Sequence, residues 1–397
     1  MNRIAQLGAG LALVLASTYC LSQATMAPDR QRQTALALEL LAKNPEAETE
    51  WLLYLKTHPT SAEAYAHLGL LSARQEHYKE AAPLYREALV LNPQFPSLRL
   101  NLGLALFKGG DLRGAIEQFK TLLGSASGNN ASSGSPEAQR LNILLGMAHY
   151  GLREYAPAAL YLKEAAANDP RNLELRLSLA HSCLWSKQYQ CVLDTYREIL
   201  SLNAESAEAD TLAGEALDEL KDHQAAILQF RAAVKANPNE PEAHFGLGYL
   251  LWTHRQYDEA ISEFQAELAN APDHAQALAY LGDAQIQLNH PELAPPLLEK
   301  ALRLDPGLEL AHLDLGVLYA DAGRQNDALR EMKEAARVAP DDVNVHWRLG
   351  RLYRSMGKMD EAKAELNKAS RITRAVDSAL IEKMKPDSSM LPAPNAP

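Results

Sequence analysis

Small and apolar positions along this chain fall into columns that recur every 34 residues. In the stretch Ala62–Phe95 a Leu68–Gly69 pair fills the seventh and eighth places, and alanine fills the twentieth (Ala81). An aromatic fills the twenty-fourth (Tyr85), alanine the twenty-seventh (Ala88) and proline the thirty-second (Pro93). The glycine column continues as Gly103, Gly146, Gly214, Gly248, Gly282, Gly316 and Gly350, with Ala180 as its one substitute. The alanine column continues as Ala115, Ala158, Ala226, Ala260, Ala294, Ala328 and Ala362, with Val192 in the remaining repeat. Prolines recur at Pro59, Pro170, Pro238, Pro272, Pro306 and Pro340. Each period predicts a hairpin of two helices. Glycine inside a helix costs about 1 kcal/mol against alanine, so packing must offset a glycine column. Small residues at the eighth and twentieth places are expected to face each other and let the helices approach. The aromatics (Tyr85, Phe119, Tyr196, Phe230, Phe264) are expected as knobs between hairpins. Proline stops the second helix and sets the turn into the next period.

These columns resemble the tetratricopeptide repeat family, and the resemblance covers most of the chain. It implies an all-α, right-handed superhelical solenoid of about ten helix-turn-helix units with a C-terminal capping helix. The units begin at residues 28, 62, 96, 139, 173, 207, 241, 275, 309 and 343 and end at 376. The first is degenerate, keeping Ala35, Ala47, Trp51, Tyr54 and Pro59 without the glycine. The third (96–138) carries a Gly/Ser/Asn-rich insertion at 124–135, expected as a flexible loop. Beyond 376, the stripe Ile372, Val376, Leu380 and Met384 predicts an extended last helix or a cap over 377–385. The proline-rich 386–397 is expected to be disordered.

Composition (47% hydrophobic, 22% charged) suits a folded chain, and the formal charge of −11 argues against a general nucleic-acid surface. Residues 1–24 read as an export signal: Arg3, an uncharged apolar run Leu7–Leu21, then Ser22-Gln23-Ala24, with Thr25 as the mature start. The expected location is therefore periplasmic or extracellular. An uncleaved anchor, or a lipid on Cys20, are the alternatives. Cys183 and Cys191 flank the turn of one hairpin, leaving two readings: a disulfide, or two buried thiols.

No phosphate loop, nucleophile elbow, paired-cysteine metal spacing or haem motif occurs, so no enzyme, cofactor or metal is expected. His244, His312 and His346 share the fourth place of their first helices. Equivalent residues of successive repeats lie roughly 10 Å apart, too far for one metal ion, so these read as core histidines. His149, His181 and Cys183 make a weak metal set.

In the resembled family the inner face is formed by the second, fifth, sixth, ninth, twelfth and thirteenth places of the first helices. Those places supply Tyr150, Trp185, Phe245, Tyr249 and Trp252, and in one repeat Glu208, Glu215, Asp218 and Glu219. Arg348, Arg351 and Arg354 add positive charge in the last repeat. Aromatic shelves beside carboxylates suit a protein segment with apolar anchors and Lys or Arg. The expectation is a non-catalytic interaction scaffold or assembly factor in the cell envelope. The alternative is a self-oligomerising structural protein whose groove holds its own tail or a second copy.

Overall fold

A computed structural model of the chain describes residues 30–94, 96–128, 135–202 and 205–384. The expected export signal and the tail from 386 lie outside the described residues. Twenty α-helices and one short 3-10 turn make up these residues, with no strand among them. The fold is all-helical, as the columns predict. The chain divides into two compact bodies, residues 1–204 and 205–397.

In the N-terminal body the hairpins are α1 (Arg30–Leu40) with α2 (Asn44–Thr57), α3 (Ala62–Arg74) with α4 (Tyr78–Leu91), and α5 (Pro96–Gly109) with α6 (Leu112–Gly128). Then come α7 (Pro136–Gly151) with α8 (Tyr155–Asn168), and α9 (Leu173–Trp185) with α10 (Tyr189–Leu202). The C-terminal body pairs α11 (Ala207–Glu219) with α12 (His223–Ala236), and α13 (Ala243–Thr253) with α14 (Tyr257–Asn270). It continues with α15 (Ala275–Gln287) and α16 (Ala294–Leu304), α17 (Glu309–Asp321) and α18 (Gln325–Val338), and α19 (Val343–Ser355) and α20 (Met359–Met384).

The glycine column is used differently from the expectation. A Cβ built on Gly103 would meet the Phe119 ring at 2.5 Å, and one on Gly69 the Tyr85 ring at 2.9 Å. Glycine thus faces the large twenty-fourth-place side chain of its own hairpin rather than only the small twentieth. The missing side chain lets that ring lie flat against the helix, and Tyr85 and Phe119 are fully buried. Phe230 is also a knob between hairpins: its ring would meet a Cβ on Gly214 at 3.0 Å and one on Gly246, in the next repeat, at 2.5 Å.

Every hairpin closes through one left-handed residue at the fifteenth place. Ala42, Glu76, Arg153, Lys187, Lys221, Arg255 and Asn289 hold φ of 55–66° there, while Gly110, Gly323 and Gly357 fill the same place without strain. The N-termini are capped where the sequence allows it. Ser61, Ser135, Asn172, Ser206 and Asp342 each accept from the backbone N–H three residues on.

The second helices show what the proline column does. Most run 14 residues, as in α4, α8 and α14, with proline a few residues after the last turn. The repeats from 96 and 343 carry Ser127 and Arg374 at the proline place. There α6 extends to 17 residues and α20 to 26. This corrects the loop expected over 124–135: residues 124–128 continue α6, where no proline stands, although the absence of proline is not sufficient by itself, since α10 keeps 14 residues with Ala204 at that place. Ser135 is the N-cap of α7, and the residues between lie outside the described set. Residues 377–384 continue α20 without a break, so the last helix is extended rather than followed by a separate cap.

Candidate partner-binding surface

The fourth place of the first helices holds a repeated latch. His244 Nδ1 lies 2.6 Å from Glu263 Oε2 and Nε2 lies 3.1 Å from the Pro238 carbonyl. His312 repeats this with Glu331 (2.9 Å) and Pro306 (3.2 Å), and His346 with Glu365 (2.6 Å) and Pro340 (2.9 Å). Each ring thus sets one nitrogen against a carboxylate and the other against a turn carbonyl. Each latch ties the turn of the preceding repeat to the second helix of its own. These histidines are buried core residues, as read from the sequence; their glutamate partners at the twenty-third place were missed. The signal was present, since Glu stands there in the three histidine repeats, while Leu278 faces Leu297 and Arg99 meets Gln118 in others.

Cys183 and Cys191 are joined, with Cα atoms 5.9 Å apart. His149 bonds Glu154 at 2.6 Å. Among the described residues no group of three or more His, Cys, Asp or Glu is placed to hold a metal ion. No helix among them is long and apolar enough to cross a membrane.

In the N-terminal body Tyr150 and Trp185 meet through Tyr155, at ring separations of 5.6 and 6.0 Å. Trp185 is 60% exposed. Tyr155 was missed, because it lies on the second helix, outside the inner columns.

The C-terminal body gathers a larger cluster. Tyr249 lies 6.2 Å from Trp252 and 5.3 Å from Tyr280, with Trp252 4.9 Å from Tyr280. Phe245 joins at 6.4 Å from Tyr249 and 4.6 Å from His274. All remain partly exposed, and Phe245, Trp252 and Tyr280 also pack against the core around Phe264. The Trp252 indole donates to Asp283 Oδ2 at 2.5 Å, and Gln287 donates to the other oxygen at 3.1 Å. Asp283 stands at the ninth place of the next repeat, and Tyr280 and Asp314 stand at the sixth place one and two repeats on, both of them inner columns.

The predicted acids divide. Asp218 lies 2.9 Å from His223 Nδ1, whereas Glu219 is exposed. Glu208 and Glu215 are partly buried and engaged in other contacts. Burial first, then the charges of Asp218 and Glu219, hold the Tyr249 phenol above its ordinary value. Burial, with Tyr249, Asp283 and Glu309 nearby, pushes Tyr280 up to about 12. Burial and then Asp342 hold Glu309 above the usual carboxylate range. Carboxylates thus stand near both phenols, with burial the larger cause of each shift.

The basic end is built differently from three free charges. Arg348 Nε donates to Asn344 at 3.1 Å, and the Arg351 guanidinium stacks 4.7 Å from the Trp347 ring centroid. Arg354 is exposed. A cavity of about 290 Å³ is lined by Arg348, Arg351, Asp321, Val317, Met332 and neighbours.

Stacked helical hairpins with a nonuniform inner column of aromatics and acids define a helical-repeat protein. Comparison with known families places it further. A tetratricopeptide repeat model matches residues 32–96, 67–131, 100–172, 193–241 and 245–309, and a second matches 319–380. The chain belongs to the tetratricopeptide repeat family. It is 25% identical over 306 residues to the BBSome complex member BBS4 of Bos taurus, covering 77% of this chain and 57% of that protein. It is 41% identical over 70 residues to the probable biofilm formation methyltransferase WspC of Pseudomonas putida, covering 18% and 16%. The chain thus spans 57% of the length of the first relative and 16% of the second. Among solved structures, a tetratricopeptide repeat protein from Parabacteroides merdae is similar at 17% identity and TM-score 0.48, over 69% of this chain and 98% of that one. YrrB, a protein of the same repeat class with a peptide-binding site described as unusual, is similar at 22% identity and TM-score 0.38, over 48% and 98%.

Proposed function

We propose that the protein is a non-catalytic scaffold that holds a partner protein segment along the inner columns of its first helices. The observation that carries this is the aromatic cluster of Phe245, Tyr249, Trp252 and Tyr280. Of these rings Phe245, Trp252 and Tyr280 pack against the core of the C-terminal body, yet all keep part of their surface open beside carboxylates, and a partner with apolar and basic side chains covers both. Trp185 with Tyr150 and Tyr155 offers a second shelf in the N-terminal body. The apolar run after Arg3, and the joined Cys183 and Cys191, support an exported protein working in the cell envelope.

The test is affinity capture from envelope extract with the full chain and with a Tyr249→Ala, Glu219→Lys variant. A partner held by the first and lost by the second, at unchanged helicity, supports the reading. Equal recovery moves the function to the outer face or the termini.

A further inference from the structure

We propose that His274 is a proton-operated cap: as a neutral ring it closes the N-terminus of α15, and as an imidazolium it leaves that place for neighbouring carboxylates, moving the aromatic cluster that its ring touches. The device belongs to the chain with or without a partner, so it stands apart from the scaffold reading.

The hydrogen bonds fix the tautomer. His274 Nδ1 accepts the Ala277 backbone N–H at 3.1 Å, which leaves no hydrogen on that nitrogen. Nε2 lies 3.1 Å from Glu242 Oε2 and therefore carries the hydrogen that it donates. Asn172 and Ser206 cap their helices from the same place with groups that do not titrate. Proton uptake by His274 fills Nδ1, sets one N–H against another and abolishes the cap.

The surroundings carry that change to the surface. The His274 ring lies 4.6 Å from Phe245, and α15 bears Tyr280 and Asp283, the acceptor for the Trp252 indole. Glu242 holds a φ of 65°, the one described non-glycine residue in the left-handed region away from the fifteenth place. The turn before α13 is thus strained, and its side chain is held by His274. Two carboxylates act on the ring, Glu242 from that turn and Glu267 from α14, while His244 of α13 acts on Glu267. Glu267 is 3% exposed and accepts the Phe245 N–H at 3.2 Å, so an imidazolium drawing on it pulls at the entry of α13. The hydrogen bond to Glu242, ahead of the other causes, holds the His274 proton above the ordinary imidazole value. A folded value above the unfolded one gives stability that is present in acid and lost as pH rises through the folded value. Acid therefore trades the cap for ion pairs and leaves the chain folded.

Amide protection of Ala277, followed by NMR in the full chain from about pH 8 to about pH 5.5, reads the cap. The protection factor should fall about fivefold as the His274 ring takes its proton, while Ala209, capped by Ser206, keeps its own. The Trp252 indole signal, assigned by Trp252→Phe, should move with the same midpoint. His274→Asn, which caps as Asn172 does, should hold Ala277 protection constant over the range. Glu242→Gln should carry the midpoint to lower pH. Constant Ala277 protection while the ring titrates, the same fall in His274→Asn, a Trp252 signal that does not follow the ring, or a midpoint unmoved in Glu242→Gln each overturns the proposal. None of these outcomes involves partner capture, so the scaffold reading is judged separately.

Discussion

The histidine latch of the last repeat gives the sharpest test of how neighbouring repeats are held. His346 is 1% exposed and satisfies both Glu365 and the Pro340 carbonyl. Replacing His346 with leucine leaves a carboxylate and a carbonyl without their donor. Replacing Glu365 with leucine leaves a buried ring nitrogen unpaired. Each single change should cost about 1–3 kcal/mol, the cost of an unsatisfied buried polar group. The double change should not. In the repeat from 275 the same two places hold Leu278 and Leu297, and the turn carbonyl of Pro272 is served by Lys300 Nζ at 2.6 Å, itself paired with Asp273 at 3.2 Å. The last repeat already carries Lys368 and Asp341 at the places of Lys300 and Asp273. His346→Leu with Glu365→Leu should therefore cost under about 1 kcal/mol, against a sum of about 2–6 kcal/mol for the single changes, giving a coupling energy of at least about 1 kcal/mol. Amide exchange over α19 and α20 is the suitable assay, because repeats unfold locally rather than as one unit. The single changes should speed exchange about five- to a hundred-fold, and the double change far less. Additive losses in the double variant would falsify the claim that polar and apolar pairs are interchangeable there.

Two further outcomes follow from the same geometry. Breaking Cys183–Cys191 by reduction or by paired serine substitution should loosen α9 and α10 by about 2–3 kcal/mol, from loop closure alone, in the one repeat that carries Ala180, Val192 and Ala204 in place of glycine, alanine and proline; complete alkylation of both thiols in unreduced protein would remove the basis of this. Asp314 holds its proton to higher pH folded than unfolded, so its contribution to stability falls as pH rises above the ordinary carboxylate value; the advantage of Asp314→Asn in urea midpoint should grow from about pH 4 upward, and a constant difference would show that Asp314 does not titrate this way.

Most of the fold was legible because its packing repeats. A column seen nine times survives substitution in any one repeat, and Ala180 or Val192 does not hide the period. The direction of packing was harder to read. That Gly103 faces Phe119 depends on which side of the hairpin the ring takes, and spacing alone does not carry that. The left-handed closing residue was present as Gly110, Asn289, Gly323 and Gly357 but is masked where Glu76 or Arg153 accepts the strain. At the candidate site, Phe245, Tyr249 and Trp252 were visible as inner-column residues, and Tyr280 and Asp314 stood in another inner column, the sixth, one and two repeats further on. The pairing of Trp252 with Asp283, 31 residues away, was not visible, since it depends on side-chain rotamers across two repeats.

The contrast between two neighbouring columns shows why the site belongs where it does. In the C-terminal body the eighth place reads Gly214, Gly248, Gly282, Gly316 and Gly350. Every one lies against a large side chain of its own hairpin, so the fold tolerates nothing larger there. Two residues earlier, the sixth place reads Leu212, Gly246, Tyr280, Asp314 and Arg348: apolar, absent, aromatic, acidic and basic. Packing fixes this place where Leu212 is buried and where Gly246 lies against Phe230, and leaves it open to polar chemistry in the last two repeats. The costliest of them is Asp314, a carboxyl bonded to a second acid, Asp283, and held above the usual carboxylate range mainly by burial. Residues that lower the stability of a repeat without serving its packing are retained for something outside it. That argument selects Tyr280 and Asp314 over the many exposed charges of the outer face, where substitution costs little in either direction.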